Sequence, residues 1–406
     1  MYEKVIRDNV HGDIYFDHPI YIEIINSSEM QRLRRILQLA GSQFAYPSAT
    51  HTRFSHCIGV YHVLQQFLKN RDFKLIDQKE QMLVKLAGLL HDVGHAAFSH
   101  TFERITNKSH ESYTTEIIKN VDGNINKILK KYDINPDDIV AIIDGTYKNN
   151  IINLLVSSQI DADRFDYLIR DSYNCGVDYA TLDVKWLIRN AKIRDNKIVF
   201  PHKTIYAIES YLLGRYHMYQ QVYNHKTSIS FDVMFSTWFK RIKYLADNNY
   251  KFKDNRIYEL FGALFENKPI KLKEYLQIDD YLMFNIFANC QNEQDQILSD
   301  LSKRINNREL FVCKSEQIVE KDKILDKLKE KGYDPEYYFL KTVSKPAVMY
   351  KIEHGAKKDE HIYLFNEKTN KIDALENISL LSCAIKENNN QKNEIKYLFP
   401  KDLEIK

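Results

Sequence analysis

Apolar positions along the chain recur mainly at helical spacing. Residues 2–20 are the opening exception: short alternating apolar runs and a His-Gly turn predict a small hairpin. In IINSSEMQRLRRILQLAG (24–41), Met30, Leu33 and Leu37 fall at helical intervals, with Ser27 or Ser28 as cap and Gly41 as stop. Residues 56–70 and 80–93 are expected to be helices, the second with an apolar stripe of Met82, Leu83, Leu86 and Leu90. Further helical stretches are expected near 112–131, 135–145, 150–170, 183–190, 204–224, 228–247, 256–265, 271–288 and 292–304. From residue 308 onward the period shortens. ELFVCKS, YYFLKTVS, AVMYKI and HIYLFNE are β-type runs, interrupted by a Lys/Glu/Asp-rich helix over 316–331. NISLLSCAI and IKYLF follow on either side of the loop KENNNQKN. The pattern predicts a mainly α chain, with a helical domain over 1–305, its motifs within 31–226, and a small α+β lobe over 306–406.

Composition narrows the class without fixing a function. The 406 residues are 44% hydrophobic and 28% charged, a globular balance that excludes disorder and fibrous repeats. Lys+Arg 58 against Asp+Glu 55 leaves +3, too little to make nucleic acid the expected partner. No stretch is long and apolar enough to predict a membrane span. MYEKVIRDNVHGD has no apolar signal core, so a cytoplasmic protein is expected. Cys57, Cys175, Cys290, Cys313 and Cys383 are scattered without a CxxC, the pattern of reduced thiols. Histidine alone is out of line: seven of the 14 lie between His51 and His110. Even spacing would put about two there, so this window is where metal or proton chemistry is expected.

Three motifs carry that chemistry: HTRFSHCIGV (51–60), LLHDVGHAAFSHTFE (89–103) and DADRFDYLIRDS (161–172). His91 and Asp92 are adjacent at the polar end of an apolar helix, and packing would bring His56 and Asp163 to them. Two imidazoles with two carboxylates suit Fe, Mn, Zn or Mg and leave coordination positions open for water and a phosphate oxygen. Asp163, Asp166, Tyr167, Arg170 and Asp171 fall on one helix face, which either binds something or is laced by salt bridges. There is no GxxxxGKS and no GxGxxG, so a nucleotide would be held by side chains and metal rather than by a glycine cradle.

With these motifs, residues 1–230 resemble the HD-domain superfamily of metal-dependent phosphohydrolases, an all-helical core. Within it they are most similar to deoxynucleoside triphosphate triphosphohydrolases of the SAM-and-HD-domain type, here with no SAM domain expected ahead of the HD region. The resemblance implies one divalent ion per site, held by His56, His91, Asp92 and Asp163, with additional Mg travelling with the triphosphate. It implies that His95, His100 and His110, with Glu111 beside the last, contact the α-phosphate and handle protons. Arg53, Arg164 and Arg215 would contact phosphates, where a bidentate guanidinium is well suited. Gln38, Leu39, Tyr167 and Asp171 would line the deoxyribose, and Tyr223 and His225 the base side, although a core role for Tyr223 stays equally open. His51 and His62 read as structural. The implied reaction is dNTP plus water giving deoxynucleoside and inorganic triphosphate. Two alternatives stay open: an HD phosphohydrolase acting on nucleoside monophosphates or phosphodiesters, and a nucleotide-sensing binding module. Several members of the family are allosteric oligomers. Lys4, Val5, Gln31 and Arg34 match their activator site, whereas Asn26 stands where a guanine-reading Asp would align. A tetramer or dimer is therefore expected, its nucleotide activation less guanine-specific than in relatives, or absent.

Overall fold

The apolar stripes read from the sequence pack into the first of two cores. Helix α1 (Arg53–Lys69) is capped by Thr52, which accepts the Ser55 N–H, and buries Cys57, Val60, Tyr61 and Leu64. It packs on α2 (Gln78–Leu90), capped by Asp77 and burying Leu83, Leu86 and Leu90. Gly88 permits the close approach, since a Cβ there would stand 2.3 Å from Leu64 Cδ1. Two short helices follow, α3 (His100–Thr106) and α4 (His110–Lys119). Then α5 (Ala162–Cys175) lies against α1 and ends at Gly176, which takes the left-handed conformation at φ 66°. Helix α6 (Ile205–Met218) runs into a π-helical turn at Tyr219–Tyr223. The computed structural model describes residues 3–106, 108–344, 350, 361–379, 381 and 393–404.

The second core is built around α7 (Lys226–Asp247) and α8 (Asp280–Cys290), with Phe235, Trp238 and Phe287 buried among them. Leu90 and Val93 belong to the first core, and Ala96, Ala97, Phe98 and Phe102 to the second. The loop from α2 to α3, which carries His91 and His95 and leads into His100, therefore runs along the seam between the two cores.

The opening hairpin is present, with β1 (Lys4–Asp8) antiparallel to β2 (Gly12–Phe16). A second hairpin, β3 (Lys192–Arg194) with β4 (Lys197–Pro201), lay unread in the sequence. Its Asp195–Asn196 turn has both residues at positive φ, the signature of a two-residue hairpin loop. In the C-terminal stretch β5 (Val312–Ser315), β9 (Glu394–Phe399) and β6 (Leu340–Ser344) form one sheet in that order. β7 (Tyr363–Phe365) instead pairs in parallel with β4, and β8 (Ile372–Ala374) pairs with β7. The expected runs AVMYKI (347–352) and NISLLSCAI (377–385), the loop KENNNQKN and Cys383 fall largely or wholly outside the described residues. The fold is mainly α with a small α+β lobe, as expected. No helix among the described residues is long and apolar enough to cross a membrane.

Tertiary contacts overrule the helical period at several places. The expected helix over 24–41 is only a short turn of helix, Ser28–Arg32, capped by Ser27 and followed by a 3-10 turn. Beyond it Gln38 N–H bonds His51 O and Arg53 N–H bonds Ile36 O, pairing Leu37 with Thr52 as an isolated bridge. The stretch 150–170 breaks where Asp161 caps α5, and 271–288 breaks where Asp279 caps α8.

Candidate active site

Three helices bring the ligand candidates together. His56 lies on α1, His91 ends α2 with Asp92 beside it, and Asp163 sits in the first turn of α5. His56 Nε2 is 3.0 Å from Asp163 Oδ1 and 3.7 Å from Asp92 Oδ2. His91 Nε2 is 3.6 Å from Asp163 Oδ1 and 3.4 Å from Asp92 Oδ1. A divalent ion about 2.1 Å from each ligand needs neighbouring donor atoms roughly 3 Å apart, close to what is observed. The tautomers agree. His91 Nδ1 is 2.9 Å from the Gly88 carbonyl and His56 Nδ1 is 2.8 Å from Asp166 Oδ2. Each ring can therefore donate from Nδ1 and aims Nε2 inward, the atom a cation would meet once its proton is displaced. Both Nε2 atoms are buried with no hydrogen bond among the described residues. Two buried imidazole nitrogens facing carboxylates form the donor set a divalent cation satisfies, so the residues fit a metal ion. Burial opposes charge on His56, yet the carboxylates of Asp163 and Asp166 push it up to about 10. An entering cation must therefore displace a proton.

The polar face of α5 divides in two. Asp166 and Arg170 turn into a buried ion pair, with Arg170 Nε 2.8 Å from Asp166 Oδ2. His11 Nε2 reaches Asp166 Oδ1 at 2.6 Å, and Asp8 accepts from Arg170 at 2.8 Å. The N-terminal hairpin thereby buttresses the carboxylate that orients His56. Gly59 leaves the room needed: a Cβ would lie 1.9 Å from Asp166 Oδ1. Asp163, Tyr167 and Asp171 face the other way, into a cavity of about 400 Å³.

That cavity collects most of the residues expected to meet substrate. Gln38, Leu39, Arg53, Tyr167, Asp171 and Tyr223 line it, together with His95, His100, His110 and Tyr219. Asp171 is buried and fixed at both oxygens, by His51 Nε2 at 2.7 Å and by the Tyr223 hydroxyl at 2.8 Å. His51, expected to be structural, is thus the group that orients Asp171. Arg53 bonds Asp92 and reaches Ser99 Oγ at 3.0 Å, so it both neutralises a ligand candidate and faces the cavity. Arg164 and Arg215 stand outside the lining and converge on Gln159, each 3.1 Å from its Oε1. His225 also stands outside: it caps α7 by accepting the Thr227 N–H at 3.2 Å.

The histidine cluster contains a carboxylate that sequence reasoning missed. Glu103 Oε1 sits 2.5 Å from His110 Nδ1 and 3.1 Å from His100 Nδ1. Burial opposes its charge, but these two partners hold Glu103 at about 2. Glu111, expected in this role, is exposed and 3.8 Å from His110 Nε2. The signal was the three-residue step from His100 to Glu103, which puts both on one helix face. His95 is buried and held neutral, by burial first and then by the charges of Arg53 and His110. Its ring stacks on His110 at 3.9 Å and 12°. With His100 and Glu103 the two rings bring ligand atoms within 4.8 Å of one another, a second group beside the first that could hold an ion.

The regulatory candidates lie on the hairpin and on the short helices that follow it. Lys4 and Val5 are exposed on β1 and Asn26 ends the helix Pro19–Ile25. Gln31 donates to Ile25 O at 2.7 Å and accepts from Arg34 Nε at 2.9 Å, and the Arg34 guanidinium lies over Phe54.

Residues 53–169 match the HD domain and residues 182–260 the HD associated region. "Uncharacterized protein YwfO" of Bacillus subtilis (strain 168) is 36% identical over 345 residues, 83% of this chain and 79% of its own length. The "Deoxynucleoside triphosphate triphosphohydrolase SAMHD1 homolog" of Dictyostelium discoideum is 31% identical over 342 residues, 79% of this chain and 62% of that one. A solved phosphohydrolase from Bacteroides thetaiotaomicron VPI-5482 superposes with a TM-score of 0.84 at 27% identity, covering 98% of this chain and 100% of the other.

Proposed function

This chain belongs to the HD-domain family of metal-dependent phosphohydrolases, and on that premise we propose that it hydrolyses deoxynucleoside triphosphates to deoxynucleoside and inorganic triphosphate. The observation that carries the reading is the face of α5 that meets the cavity. Asp163 stands at the ligand set, Tyr167 one turn on and Asp171 a turn further, braced by His51 and Tyr223. Eight residues of helix span about 12 Å, which accommodates a phosphate at one end and a deoxyribose at the other. The similarity to the Dictyostelium triphosphohydrolase supports the same substrate class.

When bound, a divalent ion supplies charge neutralisation at the phosphate and lowers the pKa of water. The side chains do the rest. Arg53 meets the α-phosphate, and the guanidiniums of Arg164 and Arg215, gathered on Gln159, meet the distal phosphates. His95, neutral and buried, accepts a proton at a ring nitrogen. His110, held through Nδ1 by Glu103 and flanked by His100, delivers one from Nε2 to the leaving O5′. Asp171 takes the 3′-hydroxyl while Tyr167 fills the place of a 2′-hydroxyl, with Gln38 and Leu39 closing the sugar side. Tyr223 and His225 border the base, and Glu111 acts only through His110. We also propose a cytoplasmic homo-oligomer, a tetramer or dimer, with an activator nucleotide at Lys4, Val5, Asn26, Gln31 and Arg34. Asn26 offers one acceptor oxygen where a carboxylate offers two, which relaxes guanine selectivity.

The test is product analysis. Four dNTPs, four NTPs, a deoxynucleoside monophosphate and a phosphodiester are incubated in turn with Mn, Fe or Mg. Inorganic triphosphate from dNTPs is expected. Orthophosphate, or turnover confined to the monophosphate or diester, would overturn the reading.

A further inference from the structure

Beyond the segments that match the family, the stretch from Tyr275 into α8 touches the catalytic loop and the sugar-side segment at four successive points. The Tyr275 hydroxyl donates to Gly94 O at 2.7 Å and its ring stacks on Tyr113. Ile278 O accepts from Arg32, whose guanidinium also bonds Val93 O and His95 O at 2.9 and 2.6 Å. Asp279 accepts from Arg35 at 2.5 Å. Asp280, 3% exposed, ends the series with a different kind of contact. Its Oδ2 accepts the Leu37 N–H at 3.0 Å and its Oδ1 accepts the Phe98 N–H at 2.8 Å.

Those two N–H groups belong to two segments that lead into the lining of the cavity. Leu37 leads into Gln38 and Leu39. Phe98 leads into Ser99 and His100. Both segments hold unusual backbone: Ala40 lies at φ 44°, Phe98 at 57° and Ser99 at 52°, all in the left-handed region that non-glycine residues rarely adopt. Such residues persist where the surroundings over-determine them. Asp280 does so from one side. Ser99 Oγ does so from the other, donating to Leu37 O at 2.8 Å and accepting from Arg53. A carboxylate can accept an N–H on each oxygen, whereas an amide has one acceptor oxygen and would set its NH2 against the second N–H.

We propose that Asp280 is a positioning residue for this site, its two oxygens fixing the separation between the Gln38–Leu39 wall and the loop that carries His95 and His100. The proposal rests on the functional reading above for its link to turnover, and on geometry alone for its effect on the two segments. Both links are tested with the full-length metal-loaded protein and Asp280→Asn. Amide hydrogen exchange is followed in peptides covering 36–40 and 96–100, beside kcat, KM and metal content. Exchange should rise in both peptides together, and kcat for the preferred dNTP should fall about 10- to 100-fold at unchanged metal content, the scale of a small misplacement of reacting groups. Asp280→Ser, which also removes the paired acceptors, is the second variant should the amide not fold. Unchanged exchange in either peptide, wild-type kcat, or loss of the metal with the activity would overturn the proposal. If the wild-type protein leaves dNTPs intact, the functional reading has failed, and the exchange measurement still decides the role of Asp280.

Discussion

Asp166 lies outside the ligand set, yet it fixes the ring of His56 through Nδ1 and is itself held by Arg170 and His11. Carboxylates in that position orient metal-binding histidines, and their loss typically costs 10- to 100-fold in metal affinity. Asp166→Asn should therefore weaken metal binding by about that factor, measured by titrating Mn into the apo protein; unchanged affinity would show that His56 needs no orienting partner. On the opposite face, Tyr167→Ala or Asp171→Ala should erode discrimination between dNTP and NTP more than it disturbs the metal. A lost buried hydrogen bond costs about 1–3 kcal/mol, or roughly 5- to 150-fold. Equal losses on ribo- and deoxy-substrates would remove the sugar gate. Residue identities were largely legible in the sequence: His56, His91, Asp92 and Asp163 do converge. Their supporting partners were not. Nothing in the spacing of His51 from Asp171, or of His11 from Asp166, signals a contact made only when distant segments pack.

At the level of elements, α1 and α2 could be read because their helical periodicity agrees with the structure, and α5 in part, since the expected helix over 150–170 breaks before it. The breaks could not. Leu37 leaves the helical pattern because it pairs with Thr52 and meets Asp280, both remote in sequence. The β3–β4 hairpin, in contrast, had a local Asp-Asn turn signal, and the helical reading of its surroundings hid it. Gly59 makes the dependence of the site on element packing testable. Alanine favours a helix by about 1 kcal/mol over glycine, so Gly59→Ala should leave α1 intact. Its Cβ would nevertheless collide with Asp166. The expected outcome is wild-type helicity by circular dichroism with impaired metal binding. Wild-type metal affinity would mean that Asp166 can move without consequence.

Across the whole molecule, the site occupies the seam between two cores, so stability and activity are coupled through the groups buried there. Asp280 is the sharpest instance: burial raises its carboxyl to about 7, above its value in the unfolded chain. The folded state then binds the extra proton between those two values, and stability falls as pH rises through about 7. Asp280→Asn removes that dependence. The melting temperature of the wild type relative to Asp280→Asn should therefore decrease between pH 5.5 and 8.5, and a difference that stays constant would contradict a raised carboxyl. At this scale the sequence conveyed the mainly α architecture and the onset of β structure near the C-terminus. It did not convey that β7 joins β4 in the first half of the chain, because parallel pairing across such a separation leaves no local trace. The claim on which the rest depends is that water attacks the α-phosphorus and the deoxynucleoside leaves. Hydrolysis of a dNTP in ¹⁸O-labelled water, read by mass spectrometry, tests it: one ¹⁸O should appear in inorganic triphosphate and none in the deoxynucleoside. Label in orthophosphate or in a deoxynucleoside monophosphate would contradict it.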